Sequence, residues 1–229
     1  MLSITATDYW RNAHPGGMIG LLELSGIDNA RSSPDLERRK RETEAHLRER
    51  YQGFTRADFL ALPAMSAYQK YYRRFDKTYH VLLQVESIAL KGKNLPGVSP
   101  LVDANFAAEV DTLILTAGHD VAKLRGRVLI DNSAEGDHMT LMDGAFKAIY
   151  AGDMIMRDSE GICCSIIYGQ DNRSPITRAT AHVLYVSYVP AGVPTELVEL
   201  QLRKIEDNIR LFSPSAILDQ INILRADST

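Results

Sequence analysis

The pattern of apolar and polar positions changes character about halfway along the chain. In the first half it predicts helices that begin at Ser-Pro pairs: one runs from Pro34 to about Tyr51, and another begins at Pro100. Between them, apolar residues from His80 to Leu90 recur at helical spacing, and Gly92 stands where a C-terminal cap belongs. The first of these helices is mostly polar, which is typical of a helix on the surface.

After Gly126 the pattern changes to short strand-like runs that are separated by glycine and aspartate. The runs are RVLI, HMTLM, FKAIY, DMIMRD, ICCSIIYG and HVLYVSYV, and Met18 to Leu24 forms an earlier one. The triplets MDG and SEG predict two hairpin turns. Near the end, Leu197 to Phe212 is expected to form an amphipathic helix, and Pro214 opens a last helix that bears Ile217, Ile221 and Leu224.

The predicted order is helices, then many strands, then helices. This order is typical of an α+β fold rather than of an alternating α/β fold. The chain has 229 residues, and 45% of them are hydrophobic, which is enough for a sizeable core. We find no internal repeat in the sequence. We therefore expect a single domain over residues 1 to 229.

Composition argues against a membrane protein and against a metal or thiol site. No apolar run approaches the ~20 residues of a membrane span, and the start MLSITATDYWRN lacks the layout of a secretory signal, so a cytoplasmic protein is expected. The two cysteines, Cys163 and Cys164, are adjacent in an apolar run and suggest neither a disulfide nor a zinc site. Because the common nucleotide-binding and metal-binding motifs are missing, we expect no cofactor and no metal.

The net charge of −3 argues against binding nucleic acid by overall electrostatics. A local basic cluster lies between residues 70 and 93, a segment that contains six basic residues and two acidic ones. Its members are Lys70, Arg73, Arg74, Lys77, Lys91 and Lys93. The cluster is a candidate RNA-contact surface; the alternative is a solvated helix face with cations at helix C-termini.

His119 stands between Gly118 and Asp120 after an apolar run, where the sequence predicts a turn. An imidazole presented at the rim of a cavity beside a carboxylate can act as a general base near neutral pH, so His119 is the candidate catalytic residue. Gly118 and Asp120 are then candidate substrate-binding residues. The alternative is that Asp120 caps the following segment and His119 is a plain turn residue.

Three further residues are candidates for a binding site. Asp103 and Asn105 lie off the apolar side of the helix that begins at Pro100, although polar residues there are often only its solvent-facing side. Gly169 closes the apolar ICCSIIY strand, where a backbone without a Cβ can approach a ligand closely.

Several segments between residues 72 and 190 occur in a familiar order and spacing. They are KGKNLP, LVDAN, the Gly-His-Asp triplet, GRVLID, LMDG, DMIMRDSEG and IYGQDNRSPITRAT. In this respect the chain resembles the B3/B4 domain of the phenylalanyl-tRNA synthetase beta subunit, and free-standing proteins made of that domain alone. The resemblance implies a β-rich core over about residues 72 to 190, with a helical N-terminal extension and C-terminal helices.

In the synthetase this domain binds the 3' end of tRNA and hydrolyses the ester formed when tyrosine is wrongly attached to the phenylalanine tRNA. The present sequence departs from that pattern. With the family's two aspartates aligned on Asp103 and Asp120, its Thr, Asn and His fall on Asn105, Phe106 and Ala117. His119 comes two residues after the family position, and the family glutamate falls near Val186.

The resemblance therefore implies a module that recognises a tRNA 3' end or an aminoacyl-tRNA, and that is not a synthetase by itself. In this interpretation His119 is catalytic in hydrolysing mischarged tRNA in trans, and the basic cluster faces the tRNA. The departures leave an alternative open: a non-catalytic module that binds a small amino-acid-like or nucleotide-like ligand, or another protein. The acidic net charge favours this alternative.

Overall fold

The computed structural model describes residues 2 to 227. Seven α-helices occur in this range: α1 (Asp8–Ala13), α2 (Pro34–Arg50), α3 (Arg56–Ala61), α4 (Pro63–Arg73), α5 (His80–Ala89), α6 (Pro100–Thr112) and α7 (Thr195–Arg210). The same range holds the strands β1 (Ile4–Ala6), β2 (Met18–Ser25), β3 (Thr116–Asp120), β4 (Val128–Asn132), β5 (His138–Thr140), β6 (Phe146–Ala148), β7 (Met154–Asp158), β8 (Gly161–Ser165), β9 (Gly169–Gln170), β10 (His182–Val189) and β11 (Ile217–Arg225). The predicted α+β class is confirmed.

Two sheets and one hairpin organise the strands. The five-stranded sheet has the order β1-β4-β7-β8-β9, with β1 parallel to β4 and the other pairs antiparallel. The four-stranded sheet is antiparallel, in the order β11-β2-β10-β3. Strands β5 and β6 form a separate hairpin.

The two central strands of the four-stranded sheet, β2 and β10, are buried along almost their whole length. Their continuous apolar sequences fit this position, because both faces of the sheet are covered. Helix α7 lies directly on β2 at Gly20, where a Cβ would come within 3.0 Å of Val198 Cγ1. Glycine at this position therefore permits the close contact between helix and sheet.

Several predicted elements are confirmed at or near their predicted bounds. The Ser33-Pro34 start produces α2, in which the Ser33 hydroxyl accepts a hydrogen bond from the Leu36 backbone N–H at 3.1 Å. Pro100 opens α6, and the His80 helix is α5. The hairpins predicted at MDG and SEG join β5 to β6 and β7 to β8.

The predicted turn at Gly118, His119 and Asp120 is wrong. These residues lie in β3, where His119 is opposite Leu184 of the central strand β10. Glycine and aspartate are poor strand formers, so local preference favoured a turn. Pairing with the long strand β10 outweighs that preference. The residues next to this segment in the sequence give no sign of that pairing.

The predicted last helix is also wrong, because Ile217–Arg225 forms the edge strand β11. The apolar spacing of Ile217, Ile221 and Leu224 suggests a helix, but a bulge between Leu218 and Gln220 shifts the alternation of a strand by one residue. A strand with such an irregularity can imitate helical periodicity.

The N-terminal residues do not form an extension outside a core. Strand β1 pairs with β4, and β2 pairs with both β10 and β11. The helices α2, α3 and α4 come between these strands and the later ones in the sequence. Both sheets therefore contain N-terminal strands. None of the helices between residues 2 and 227 is long and apolar enough to cross a membrane.

The polar face of α2 holds the loop that connects α5 to α6. Lys40 Nζ lies 2.8 Å from Asp103 Oδ2, and both side chains are buried. The other carboxylate oxygen of Asp103 accepts a hydrogen bond from Val98 N, and Glu44 accepts one from Leu95 N at 2.7 Å. The helix expected to be only a surface helix thus orders residues 95 to 98 through buried polar contacts.

We predict that Asp103→Asn destabilises the protein by about 2–4 kcal/mol, because it leaves the buried Lys40 ammonium with the half-exposed Glu37 carboxylate, 3.5 Å away, as its remaining ion-pair partner. Asparagine keeps the acceptor for Val98 N. The double variant Lys40→Met/Asp103→Asn removes both charges and should recover most of the loss. Urea denaturation of the three proteins measures the effect. A double variant as unstable as the single one would contradict this account.

Candidate functional site

A cavity of about 480 Å³ lies between α5, α6, β3 and the segment around β8 and β9. Its lining comes from separate parts of the chain. The residues from α5, α6 and the preceding loop are His80, Gln84, Val98, Val102, Asn105, Phe106 and Glu109. The rest are Leu115, Thr116, Ala117, Gly118, Met142, Cys164, Ser165, Ile166, Gly169, Gln170, Pro175, Ile176, Tyr185 and Tyr188.

The structure brings three of the candidate residues to this cavity. Asn105, Gly118 and Gly169 all line it. Gly169 has a positive φ of 84°, which a residue with a side chain rarely adopts. Asp103, His119 and Asp120 do not line the cavity among the residues that the structure describes.

His119 lies in a buried hydrogen-bond cluster and is 0% exposed. Its Nδ1 is 2.8 Å from Ser174 Oγ and 3.1 Å from Gln170 Nε2, and its Nε2 has no partner. Burial lowers the pKa of His119 to about 3. An imidazole with this pKa is neutral at pH 7 and a weak base, so the geometry does not favour His119 as a general base.

Asp103 and Asp120 make structural contacts. Asp103 is the ion-pair partner of Lys40. One carboxylate oxygen of Asp120 accepts a hydrogen bond from Ala122 N at 3.0 Å, and the other accepts one from Thr180 Oγ1 at 2.9 Å. Asp120 thereby caps a short 3-10 helix (Val121–Lys123), which is the alternative that the sequence left open.

Gly118 allows two side chains to pack against β3. A Cβ at this position would lie 2.5 Å from Ile176 Cδ1 and 2.9 Å from Tyr185 Cε1, which is closer than carbon atoms can approach. The Gly118 carbonyl accepts a hydrogen bond from Gln170 Nε2 at 2.8 Å. Gly118 thus lets β3 pack against Ile176 and Tyr185 and bind Gln170 at the wall of the cavity.

Glu109 is a site residue that the sequence reasoning missed. It lies on α6 one turn after Asn105, it lines the cavity and it is buried. Its Oε2 accepts a hydrogen bond from Thr116 N at 2.9 Å. Burial raises the pKa of Glu109 to about 8, so the carboxyl group is protonated at neutral pH. The signal was its position: Val102, Phe106 and Glu109 follow i, i+4, i+7 spacing on one helical face.

Helix α6 holds the first residue of β3 through two side chains. Glu109 accepts from the backbone N–H of Thr116, and Asn105 Nδ2 donates to the carbonyl of the same residue at 2.9 Å. The Thr116 hydroxyl is 2.7 Å from Ser187 Oγ and accepts a bond from Gln201 Nε2 at 3.0 Å. These buried contacts make the wall of the cavity rigid.

The six residues of the basic cluster are all exposed. Lys70 and Arg74 border one depression, whereas Arg73 and Lys77 border another. Lys91 and Lys93 lie in the loop between α5 and α6, which leads to Val98 at the cavity. Arg74 also donates to the Gly152 carbonyl at 3.2 Å and lies over the Tyr71 ring.

Within residues 2 to 227, one group of side chains has the spacing of a metal site. It consists of Glu23, His182 and Asp219, whose ligand atoms lie within 4.8 Å of one another. His182 Nε2 is 2.9 Å from Glu23 Oε1, and Glu23 also accepts hydrogen bonds from Leu2 N and Gln220 Nε2. Because protein donors already engage this carboxylate, we assign no metal to the group.

No protein-family model matches the chain, and a comparison with curated proteins finds no match. Among solved structures, it is similar to the crystal structure of an N-terminal fragment of the phenylalanyl-tRNA synthetase beta subunit from Pyrococcus horikoshii. The TM-score is 0.46, the sequence identity is 9%, and the match covers 97% of this chain and 50% of that chain. The similarity is weak and lies at the level of the fold; it shows neither the family nor the activity of this protein.

We predict that Glu109→Gln changes the pH dependence of stability. The folded-state pKa of about 8 lies above the ordinary value of 4.5, so the contribution of the protonated group is full below about pH 4.5 and is lost as the pH rises through 8. Glutamine keeps an oxygen for Thr116 N and cannot ionise. Relative to the parent, the variant should gain about 2–4 kcal/mol at about pH 8.5 and little at about pH 5.

Urea denaturation across this pH range measures the difference. Asp111→Asn is the matched control. Asp111 lies on the same helix, but it does not line the cavity, and its Oδ2 lies 2.7 Å from Lys204 Nζ. The control should keep the alkaline loss of stability. Parallel pH profiles of the parent and Glu109→Gln would contradict a neutral buried Glu109.

We predict that Gly118→Ala destabilises the protein by about 1–3 kcal/mol, because the added Cβ forces Ile176 and the Tyr185 ring to move. Gly97→Ala is the control, since a Cβ there would meet Lys40 Nζ only at 3.8 Å. Thermal unfolding of the two variants measures the contrast. Equal stability would show that the wall of the cavity adapts at Gly118.

Proposed function

We propose that the protein recognises the aminoacyl end of a charged tRNA and that the cavity holds the amino acid. One observation carries the proposal: the segments on which the resemblance to the B3/B4 domain rests meet at this cavity. Val102 and Asn105 come from LVDAN, Phe106 follows it directly, and Gly118 comes from the Gly-His-Asp triplet. Four further lining residues, Gly169, Gln170, Pro175 and Ile176, come from the IYGQDNRSPIT segment.

The size and lining of the cavity support this function. A volume of about 480 Å³ lies within the ~300–1,000 Å³ of small-ligand sites and suits one large amino acid rather than a nucleotide chain. Apolar side chains such as Phe106, Leu115 and Ile166 form much of the wall, with a few polar groups between them. Such a site binds an apolar side chain and orients its polar end.

The loop between α5 and α6 is the proposed contact for the RNA. It carries exposed Lys91 and Lys93 and ends near Val98, which lines the cavity and is 53% exposed. Two cations on the loop that leads to the cavity suit the phosphates of a single-stranded 3' end. The other basic residues, Lys70, Arg73, Arg74 and Lys77, border separate depressions and have a weaker claim.

Recognition without hydrolysis is the form of this function that the site supports. Hydrolysis needs a free base or a water-orienting group beside the ester. His119 lies outside the described wall of the cavity, and Glu109 on that wall is engaged by the backbone N–H of Thr116. The protein would then bind a charged tRNA without releasing its amino acid.

The test compares binding of the phenylalanine tRNA when it is uncharged and when it carries phenylalanine or tyrosine. We expect charged tRNA to bind about tenfold more tightly than uncharged tRNA, and Ala117→Leu to abolish the difference by filling the cavity. Ala122→Leu, at an exposed position of the 3-10 helix, is the matched control and should keep it.

Amino acid release is followed in the same samples. No acceleration over buffer is expected. Equal affinity for charged and uncharged tRNA would overturn the proposed recognition, and accelerated release would overturn the non-hydrolytic form.

A further inference from the structure

The cavity presents hydrogen-bond acceptors that have no donor. Asn105 is 7% exposed, and its Oδ1 has no partner. Its orientation is set by Nδ2, which donates to the Thr116 carbonyl, so Oδ1 cannot exchange places with the donor. Gln84 Oε1 is a second buried polar atom without a partner on the same cavity, and its amide is free to turn because no hydrogen bond fixes it. A buried acceptor left unpaired destabilises the empty site, and a ligand with a donor recovers that loss.

Donors on the cavity wall are mostly engaged by the protein itself. Gln170 Nε2 donates to the carbonyls of Gly118 and Ser174, and the Tyr185 hydroxyl donates to the Leu101 carbonyl. Ser165 Oγ donates to Asp153. The Tyr188 hydroxyl lies beside the Cys164 thiol and can accept as well as donate.

The cavity also lacks a cation for an anionic ligand. Among the residues that the structure describes, no lysine or arginine lines it, and Glu109 is the carboxyl group on its wall. A ligand carboxylate beside α6 would therefore meet a buried acid and the fixed acceptor Asn105 Oδ1. A ligand ammonium group would meet Asn105 Oδ1 and the Glu109 carboxyl group, which lie one turn apart on α6 and both hold Thr116.

We infer that the cavity recognises a ligand by a primary ammonium group attached to a bulky apolar body, and that it excludes the same body when it carries a free carboxylate. This inference rests on the proposed function, because the α-ammonium group of an aminoacyl ester has this chemistry and its carboxyl group is esterified. Such a cavity would bind the ester in preference to the free amino acid, because the free carboxylate finds no partner in it.

Glu109 couples ammonium binding to proton release. Burial raises the pKa of the empty site's Glu109 to about 8, and a ligand cation nearby favours the ionised form. At pH 7 the bound cation therefore causes Glu109 to lose its proton to solvent. Other titratable groups on the elements packed around Glu109 are Tyr68 and Tyr72 of α4, Tyr79 and His80 at the start of α5, Cys164 of β8, and Tyr185 and Tyr188 of β10.

These neighbours do not titrate between about pH 7 and 8.5. Burial raises the pKa values of the tyrosines and of Cys164, the latter to about 12. Desolvation by the surrounding protein lowers the pKa of His80. Glu109 is thus the group that links binding to pH in this range.

The experiment measures binding of three probes by calorimetry: phenethylamine, phenylalanine and 3-phenylpropionate. Phenethylamine is expected to bind about tenfold or more tightly than either carboxylate. Its affinity should rise between about pH 7 and 8, by up to about tenfold per unit, as Glu109 ionises. At pH 7 the heat should differ between phosphate and Tris buffers, which reports the released proton.

Glu109→Gln should weaken phenethylamine binding and remove both the pH dependence and the difference between buffers. Asp111→Asn is the control, because this carboxylate lies on the same helix but does not line the cavity, and it should behave as the parent. Asn105→Leu should weaken phenethylamine binding without removing the buffer difference, since Glu109 is still present.

Equal binding of phenethylamine and 3-phenylpropionate, or buffer-independent heats in the parent, would overturn the inference. Its failure is distinguishable from that of the proposed function. Discrimination of charged tRNA without selective amine binding would overturn the ammonium inference alone. Selective amine binding without tRNA discrimination would support it and overturn the proposed tRNA function.

Discussion

The backbone of Thr116 is the point on which the cavity depends. Helix α6 holds it from both sides, since Glu109 accepts from its N–H and Asn105 donates to its carbonyl. Strand β3 continues from this residue along β10, so the two bonds set the distance between helix and sheet and leave the space that forms the cavity. Because both side chains are buried, losing either would leave a backbone group unpaired away from water.

The same arrangement explains why Glu109 is both structural and chemically distinctive. A carboxyl group in an apolar cavity is costly when charged, and here burial keeps it protonated at neutral pH. Among the described lining residues, no lysine or arginine is present to stabilise the ionised form. A neutral acid beside unpaired acceptors is a site that changes its charge when a cation arrives.

Ordering of the cavity mouth comes from a different part of the molecule. Helix α2 buries Lys40 against Asp103 and holds Leu95 through Glu44, so the loop before α6 is anchored by polar contacts. Asp103 contributes to the site only by this route. A residue on the polar face of an amphipathic helix can therefore look like a ligand-binding group and be an anchor.

Local patterns in the sequence predicted the elements whose signals are local. Helices α2, α5 and α6 begin at or next to the residues that the caps and the spacing indicated, and the MDG and SEG hairpins form as expected. Of the candidate site, Asn105, Gly118 and Gly169 could be found from their positions, and they line the cavity. Glu109 continues the face of Val102 and Phe106, but only the folded chain shows that this carboxyl group is buried.

What the tertiary structure alone decided is which neighbours a segment has. The Gly-His-Asp triplet became a strand because β10 pairs with it, and Ile217–Arg225 became an edge strand because β2 pairs with it. His119 points into a buried cluster with Ser174 and Gln170, which are distant in sequence. Capping and periodicity act within a few residues, so the sequence by itself determined helix starts and hairpins; strand pairing and burial join distant residues, so only the folded chain determined the cavity and the charge of its groups.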